Sequence, residues 1–276
     1  MRKLGVFESM RVVDGRVWFL HRHLGRFARG AEAVELEGFE PGPVEGAIGS
    51  LLARVDLPSC ACLRLEGTGL PVTTLRWDVR EIAVRSAPLD LFVSSHRVEP
   101  DPWRAHKTTA RELMDAARDE ARAAGFDEGL LVRPDGRLVE GAITNVFVVR
   151  DGEIVTPSLG QGCLSGIVRE VLLEADRRGG PRVVEGEPTL SDLERADEVI
   201  LTNALRGVLG VPRLGGAGLE RSLPGDGGEF AQRLRAHWVE RGEAEAVAPA
   251  GPGPGGSAIL GAPGQDRAGG EDPPRP

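Results

Sequence analysis

Apolar residues recur along this chain with two periods, and the switches between them mark out its elements. From Val6 to Phe19 they alternate with polar residues around Asp14-Gly15, a dipeptide favoured in tight hairpins, which predicts two short strands. His21 to Ala31 is helical in spacing. Residues 41–55 predict a second helix, with Pro43 near its start and Val44, Ile48, Leu51 and Leu52 on one face. Cys60–Leu65, Val79–Val84 and Leu91–Ser94 read as strands. Arg111–Ala124 is a helix with Leu113, Ala117 and Ala121 on one stripe, closed by Gly125. Short strands follow at Glu128–Arg133, Leu138–Glu140, Asn145–Val149 and Ile154–Thr156, with turns at Pro134-Asp135-Gly136 and Asp151-Gly152. Ser165–Arg177 predicts a helix, Val183–Val184 a strand and Leu190–Ala196 a short helix. Val199–Asn203 and Val208–Val211 predict strands, and Glu229–Arg241 a last helix. The pattern contains no internal repeat. It reads as α+β in two lobes: a small domain over 1–95 and a larger one over 96–243, with the boundary near Ser94–Pro102.

From residue 244 to 276 the pattern stops. This tail is rich in Pro, Gly and Ala, cannot bury enough surface to offset its ordering entropy, and is expected to be disordered. The rest has ample material for a core, since 41% of the chain is apolar. No window approaches the run of about 18 apolar residues that a membrane span needs, and the N-terminus has no signal-peptide core. Cys60 and Cys62 share a face of one strand and are expected to be buried. With Cys163 they form no even disulfide framework and no zinc spacing, which favours a reducing cytoplasm. A net charge of −8 argues against a nucleic-acid partner and fits an enzyme acting on a small molecule. There is no Tyr, so no phenol takes part in any site.

Lysine usage changes the picture. Of 34 basic residues only Lys3 and Lys107 are lysines. A guanidinium stays protonated, whereas a desolvated lysine amine can lose its proton and attack an aldehyde. Lys107, in Trp103-Arg104-Ala105-His106-Lys107-Thr108-Thr109, is therefore the candidate nucleophile. His106 and His96 are secondary candidates for proton transfer.

Further blocks stand with it: Phe7-Glu8-Ser9-Met10-Arg11, His23-Leu24-Gly25-Arg26-Phe27, Glu140-Gly141-Ala142-Ile143-Thr144-Asn145-Val146-Phe147, Gly162-Cys163-Leu164-Ser165-Gly166-Ile167-Val168-Arg169 and Leu201-Thr202-Asn203-Ala204-Leu205. In this order and spacing, over about residues 6 to 213, they resemble the class IV aminotransferases. These are pyridoxal-phosphate (PLP) enzymes of fold type IV, a two-lobed D-amino-acid aminotransferase-like fold. The resemblance implies that Lys107 is the Schiff-base lysine and that Glu140 meets the pyridine nitrogen of PLP, keeping the ring an electron sink. It implies that Leu164 packs on the ring and that Ile167 and Val168 offer backbone N–H groups to the phosphate at a helix start. Arg26 matches the family's phosphate arginine, and Thr202 and Asn203 reach the phosphate directly or through water. Val168 stands where many members carry a Thr hydroxyl. A homodimer with its cofactor cleft near the interface is also implied.

Within the family, Arg11-Val12-Val13-Asp14-Gly15, the His106–Arg111 block and Asn203-Ala204 look most like 4-amino-4-deoxychorismate lyase, which releases pyruvate to leave 4-aminobenzoate in the folate pathway. Aminodeoxychorismate synthase would be its pathway neighbour. The alternative is a branched-chain or D-amino-acid aminotransferase. Those relatives lean on several Tyr that this chain lacks. A non-catalytic relative serving as a subunit is a third reading, prompted by the family's usual extra strand ahead of Phe7-Glu8. Arg97, Arg104 and Arg64 are unranked candidates for a substrate carboxylate.

Overall fold

The computed structural model describes residues 4–36, 39–69, 74–84 and 86–248. The first hairpin joins β1 (Val6–Val13) to β2 (Arg16–Val17). Asp14 and Gly15 have φ of 46° and 75°, the left-handed pair that matches the twist of the flanking strands. Antiparallel β3 (Cys60–Thr68) and β4 (Thr74–Glu81) extend this sheet to the order β2-β1-β3-β4. Helices α1 (Leu20–Ala33) and α2 (Pro41–Leu52) cover it. The α1 stripe Leu20, Leu24, Phe27 and Ala31 recurs every three or four residues and packs with Met10, Leu63 and Leu65 of the sheet, while α2 adds Val44 and Ile48. Cys60 and Cys62 are buried, and neither is in a disulfide among the described residues.

The remaining elements are β5 (Leu91–Arg97), α3 (Glu112–Ala123), β6 (Glu128–Val132), β7 (Leu138–Gly141), β8 (Asn145–Arg150), β9 (Glu153–Pro157), α4 (Ile167–Leu173), β10 (Val183–Gly186), α5 (Leu190–Glu194), β11 (Glu198–Asn203), β12 (Gly207–Gly210), β13 (Arg213–Gly216), β14 (Leu219–Ser222) and α6 (Glu229–Ala244). They build two sheets, in the orders β10-β9-β8-β11-β12 and β14-β13-β5-β6-β7.

Strand β8 shows why these sheets stack. Phe147 and Val149 face a core shared with α4 and α6. Val146 and Val148 face a core shared with Leu91, Leu130, Leu138 and Leu214 of the other sheet. A strand apolar on both faces has to lie between two layers. The outer face of the last sheet, with Leu131 and Val139, packs with Ala117 of α3, Val98 and Cys163.

Several sequence expectations shift. Val79–Val84 is not the fourth strand as read: β4 starts at Thr74 and ends at Glu81, opposite Ala61, and Val84 is 68% exposed. The helix expected over Ser165–Arg177 is α4 alone, followed by a 3-10 turn at Asp176–Arg178. Strands β13 and β14 were not anticipated. The first residues of the expected tail belong to the fold: α6 runs through Ala244, and Val247 pairs with Val17. The tail beyond 248 lies outside the described residues. Among the described residues no helix is long and apolar enough to cross a membrane.

Candidate active site

Lys107 is set by the first residues of β1. Phe7 N donates to Lys107 O at 3.0 Å, Thr109 N donates to Gly5 O at 2.9 Å, and Gly5 N donates to the Thr109 hydroxyl at 2.9 Å. Val6 and Thr108 form an antiparallel bridge. The Lys107 Nζ then lies 4.5 Å from the Phe7 ring centroid, and the Arg64 guanidinium lies 4.1 Å from the same centroid. Burial pushes the amine down to about 7; the positive charges of Arg26, Arg111 and Arg64 push the same way, and Glu8 opposes them. An amine lowered this far has the unprotonated fraction near neutrality that a nucleophile needs, the chemistry for which the lysine bias made Lys107 a candidate.

Arg26 sits in a network that sequence reasoning missed. Its Nε and Nη2 grip Glu8 at 2.7 and 2.6 Å, and its Nη1 donates to Ser165 O at 2.9 Å. His23 Nδ1 lies 2.7 Å from the same Glu8 carboxylate. Glu8, His23 and Arg26 are all buried. Burial alone would raise the Glu8 carboxyl, but Arg26 and His23 outweigh it and hold it down at about 2. A guanidinium carries five N–H donors, and these bonds leave two of Arg26's for a further acceptor. The only sequence signal for the network was helical spacing, which puts His23 and Arg26 on one face of α1.

Glu140, on β7, accepts from Leu164 N at 2.9 Å and lies 3.5 Å from Arg104 Nη2. Burial raises its carboxyl to about 7; the Leu164 N–H and the charges of Arg104 and Lys107 pull the other way. The loop before α4 is tied from several sides. Arg104 Nε donates to Gly162 O at 3.0 Å, Asn145 Nδ2 to Leu164 O at 3.0 Å, and Ser165 Oγ to Ala105 O at 3.1 Å. Ser165 therefore does not cap the helix. The N-cap is Gly166, where a Cβ would sit 1.9 Å from Asn145 Oδ1. Ile167 and Val168 follow, buried, at the start of α4, where first-turn N–H groups have no intrahelical acceptor.

Glu128 was also missed. Its Oε1 accepts from Ile143 N at 2.8 Å and from the Thr144 hydroxyl at 3.3 Å, which fixes the loop between Glu140 and Asn145. Nothing in the sequence separated it from an ordinary strand-end acid.

At the end of β11, Thr202 is buried and its hydroxyl finds no hydrogen-bond partner among the described residues. Asn203 Oδ1 accepts from Leu205 N at 3.1 Å and Arg206 N at 2.8 Å, shaping the turn into β12. Of the three arginine candidates, Arg97 Nη1 donates to Ser94 O at 2.7 Å and Arg104 is tied to Gly162 and Glu140, while Arg64 stands beside Phe7 with its side chain 38% exposed. The His106 ring packs by Trp103, 6.3 Å between centroids. The His96 backbone N–H donates to Ser94 Oγ at 3.1 Å.

An amine near neutrality, a buried acid of matching acidity and a buried hydroxyl lacking a partner fit the aldehyde, ring nitrogen and phosphate of PLP. The comparisons agree. The model of the amino-transferase class IV family matches residues 5–214, and the chain belongs to that family. A putative branched-chain-amino-acid aminotransferase of Methanocaldococcus jannaschii is 30% identical over 240 residues, which is 80% of this chain and 82% of the relative. An aminodeoxychorismate lyase of Vibrio harveyi is 26% identical over 174 residues, 63% of this chain and 64% of the relative. Among solved structures, an aminotransferase from Brucella abortus bound to PLP shares the fold, with a TM-score of 0.76 at 24% identity over 87% of this chain and 89% of that one. So does a putative 4-amino-4-deoxychorismate lyase from Legionella pneumophila, with a TM-score of 0.75 at 21% identity over 86% of this chain and 91% of that one. The chain is a PLP-dependent transaminase or lyase of fold type IV, as its sequence blocks implied.

Proposed function

We propose that this enzyme is a 4-amino-4-deoxychorismate lyase, with Lys107 as its catalytic amine. When bound, PLP supplies an aldehyde that takes up amines and a ring that takes up electrons. Lys107 would hold the aldehyde end of the cofactor, and its amine would take the proton from the amine-bearing carbon of the substrate ring. Glu140 would hold a proton at the pyridine nitrogen, Leu164 would pack on the ring, and Ile167, Val168, Arg26, Thr202 and Asn203 would hold the phosphate. The same Lys107 amine returns its proton to the departing enolpyruvyl group, which leaves as pyruvate. The substrate equals 4-aminobenzoate plus pyruvate, so no keto-acid acceptor is needed.

The observation that carries this reading is the row Lys107–Phe7–Arg64. A reactive amine and a partly exposed guanidinium, both set against the buried Phe7 ring and the second paired with Glu66 at 2.9 Å, suit a substrate that bears both an amine and carboxylates. The absence of Tyr adds support. The second reading, a branched-chain aminotransferase, is favoured by the Methanocaldococcus jannaschii relative. We also read the enzyme as a cytoplasmic homodimer whose substrate comes from aminodeoxychorismate synthase.

The test is pyruvate release from aminodeoxychorismate by PLP-loaded protein without any keto acid. Release supports the lyase. A strict requirement for an acceptor, with transfer of the amine to it, replaces the lyase by the aminotransferase.

A further inference from the structure

Arg11 is buried on β1, and the chemistry above does not use it. Its two terminal nitrogens reach different parts of the chain: Nη1 donates to Leu205 O and Nη2 to Val84 O. The guanidinium carbon lies 5.7 Å from the Trp18 ring centroid and 5.6 Å from that of Trp238, and the two rings stand 5.1 Å apart at 64°. Stacking on aromatic faces is what a planar guanidinium does and an ammonium does poorly.

Both tryptophans are themselves held by glycines. A Cβ on Gly207 would come within 2.3 Å of the Trp238 ring, and one on Gly242 within 2.2 Å of the Trp18 ring. Gly207 also has φ of 75°, so it both closes the turn after Asn203 and seats Trp238.

The turn between β11 and β12 is therefore fixed at three points. Asn203 Oδ1 caps the N–H groups of Leu205 and Arg206, Trp238 lies against Gly207, and Arg11 takes the carbonyl of Leu205. Only the last contact comes from the first sheet. Thr202, whose hydroxyl lacks a partner among the described residues, pairs with Val208 on the far side of this turn.

We propose that Arg11 is a positioning residue for a phosphate monoester: it locks the turn from the first sheet so that Thr202 and Asn203 meet the cofactor's phosphate. The inference rests on the reading of those two residues as phosphate contacts. Arg11 touches neither cofactor nor substrate. It acts through the Leu205 carbonyl. A lysine in its place would reach one of the two carbonyls and give up the packing of a planar guanidinium beside the tryptophan pair.

The experiment measures affinity for PLP and for pyridoxal, which has the same aldehyde without the phosphate, by absorbance titration of cofactor-free protein. R11K is expected to weaken PLP roughly tenfold, the size of one charge-assisted hydrogen bond, and to leave pyridoxal unchanged. A purely structural role would lower the melting temperature and leave the ratio of the two affinities intact, and that result overturns the proposal. T202V and N203A serve as direct controls. If they lower the ratio and R11K does not, Arg11 has no positioning role. If neither moves it, the phosphate reading of the turn fails, and the role of Arg11 with it. Should R11K not fold, R11Q keeps a neutral donor in the slot and carries the same ratio test.

Discussion

Two corners of this site treat their buried polar groups in opposite ways. Around Glu8 the groups answer one another: Arg26 grips the carboxylate with two nitrogens, His23 adds a third contact, and the remaining Arg26 nitrogen reaches Ser165 O. At the end of β11, Thr202 is just as buried, and its hydroxyl has no hydrogen-bond partner among the described residues. The first corner is a finished frame that ties β1 and α1 to the loop before α4. The second carries a cost of about 1–3 kcal/mol that a suitable acceptor or donor removes on binding. The pairing of the two suits a division of labour, with self-satisfied charge fixing the geometry and an unsatisfied group left for the proposed phosphate contact.

Removing the amine breaks the whole scheme. K107A is expected to cut turnover by roughly ten-thousandfold or more and to abolish borohydride fixation of the cofactor. Retained turnover would end the reading. The wild-type amine also has a pH signature. Capture of PLP by cofactor-free protein should rise about tenfold per pH unit up to about 7 and then level off, as the Lys107 proton is lost. Because this pKa is depressed from 10.5, the unfolded chain binds the extra proton between about 7 and 10.5, and stability should rise with pH across that window.

The finished frame should fail next. E8Q leaves Arg26 facing a neutral amide and is expected to cost about 3–5 kcal/mol of stability, read by denaturant melts. With a native carboxyl near 2 against an ordinary 4.5, the contribution of Glu8 is present above about 4.5 and is lost as pH falls through 2. An E8Q protein that melts like its parent would mean that the network is not the frame.

A smaller effect follows at Glu140. E140Q keeps an acceptor for Leu164 N and loses the ability to hold a ring proton, so kcat should drop about a hundredfold with PLP still captured. Unchanged kcat in a stopped-flow assay would remove Glu140 from the chemistry. The smallest change is the sharpest for the comparison. T202V should make cofactor-free protein more stable, by about 1 kcal/mol, while PLP binds more weakly. A variant less stable without cofactor would show that the hydroxyl is satisfied after all.

Much of this was legible in the residues. Asp14-Gly15 marked the first hairpin, the α1 stripe marked its helix, and the lysine bias marked Lys107 before any fold was considered. What escaped was long-range or locally weak. Glu8 meets Arg26 across 18 residues of chain, and no periodicity encodes that contact. Strands β13 and β14, Arg-Leu-Gly-Gly and Leu-Glu-Arg-Ser, carry few apolar side chains and read as loop. They exist because Leu214 and Gly215 pair with Leu91 and Phe92. The helix over 165–177 was overextended because Glu174-Ala175-Asp176-Arg177 suits a helix locally. Tertiary contacts decide otherwise, with Arg22 clamping Glu174 and buried Ala175 packing closely under Gly180.

The pairing of Val17 with Val247 bears on how the chain is made. Arg16 and Ala246, 230 residues apart, meet at the same rim, where Arg16 Nη2 donates to Ala246 O at 2.6 Å. The hairpin is synthesised before the rest of the described chain, yet its rim stays uncovered until almost all of the described chain has been synthesised. Closure of that seam thus has to wait for residue 247, and a nascent chain stalled before it carries the hairpin with one side still open to chaperones.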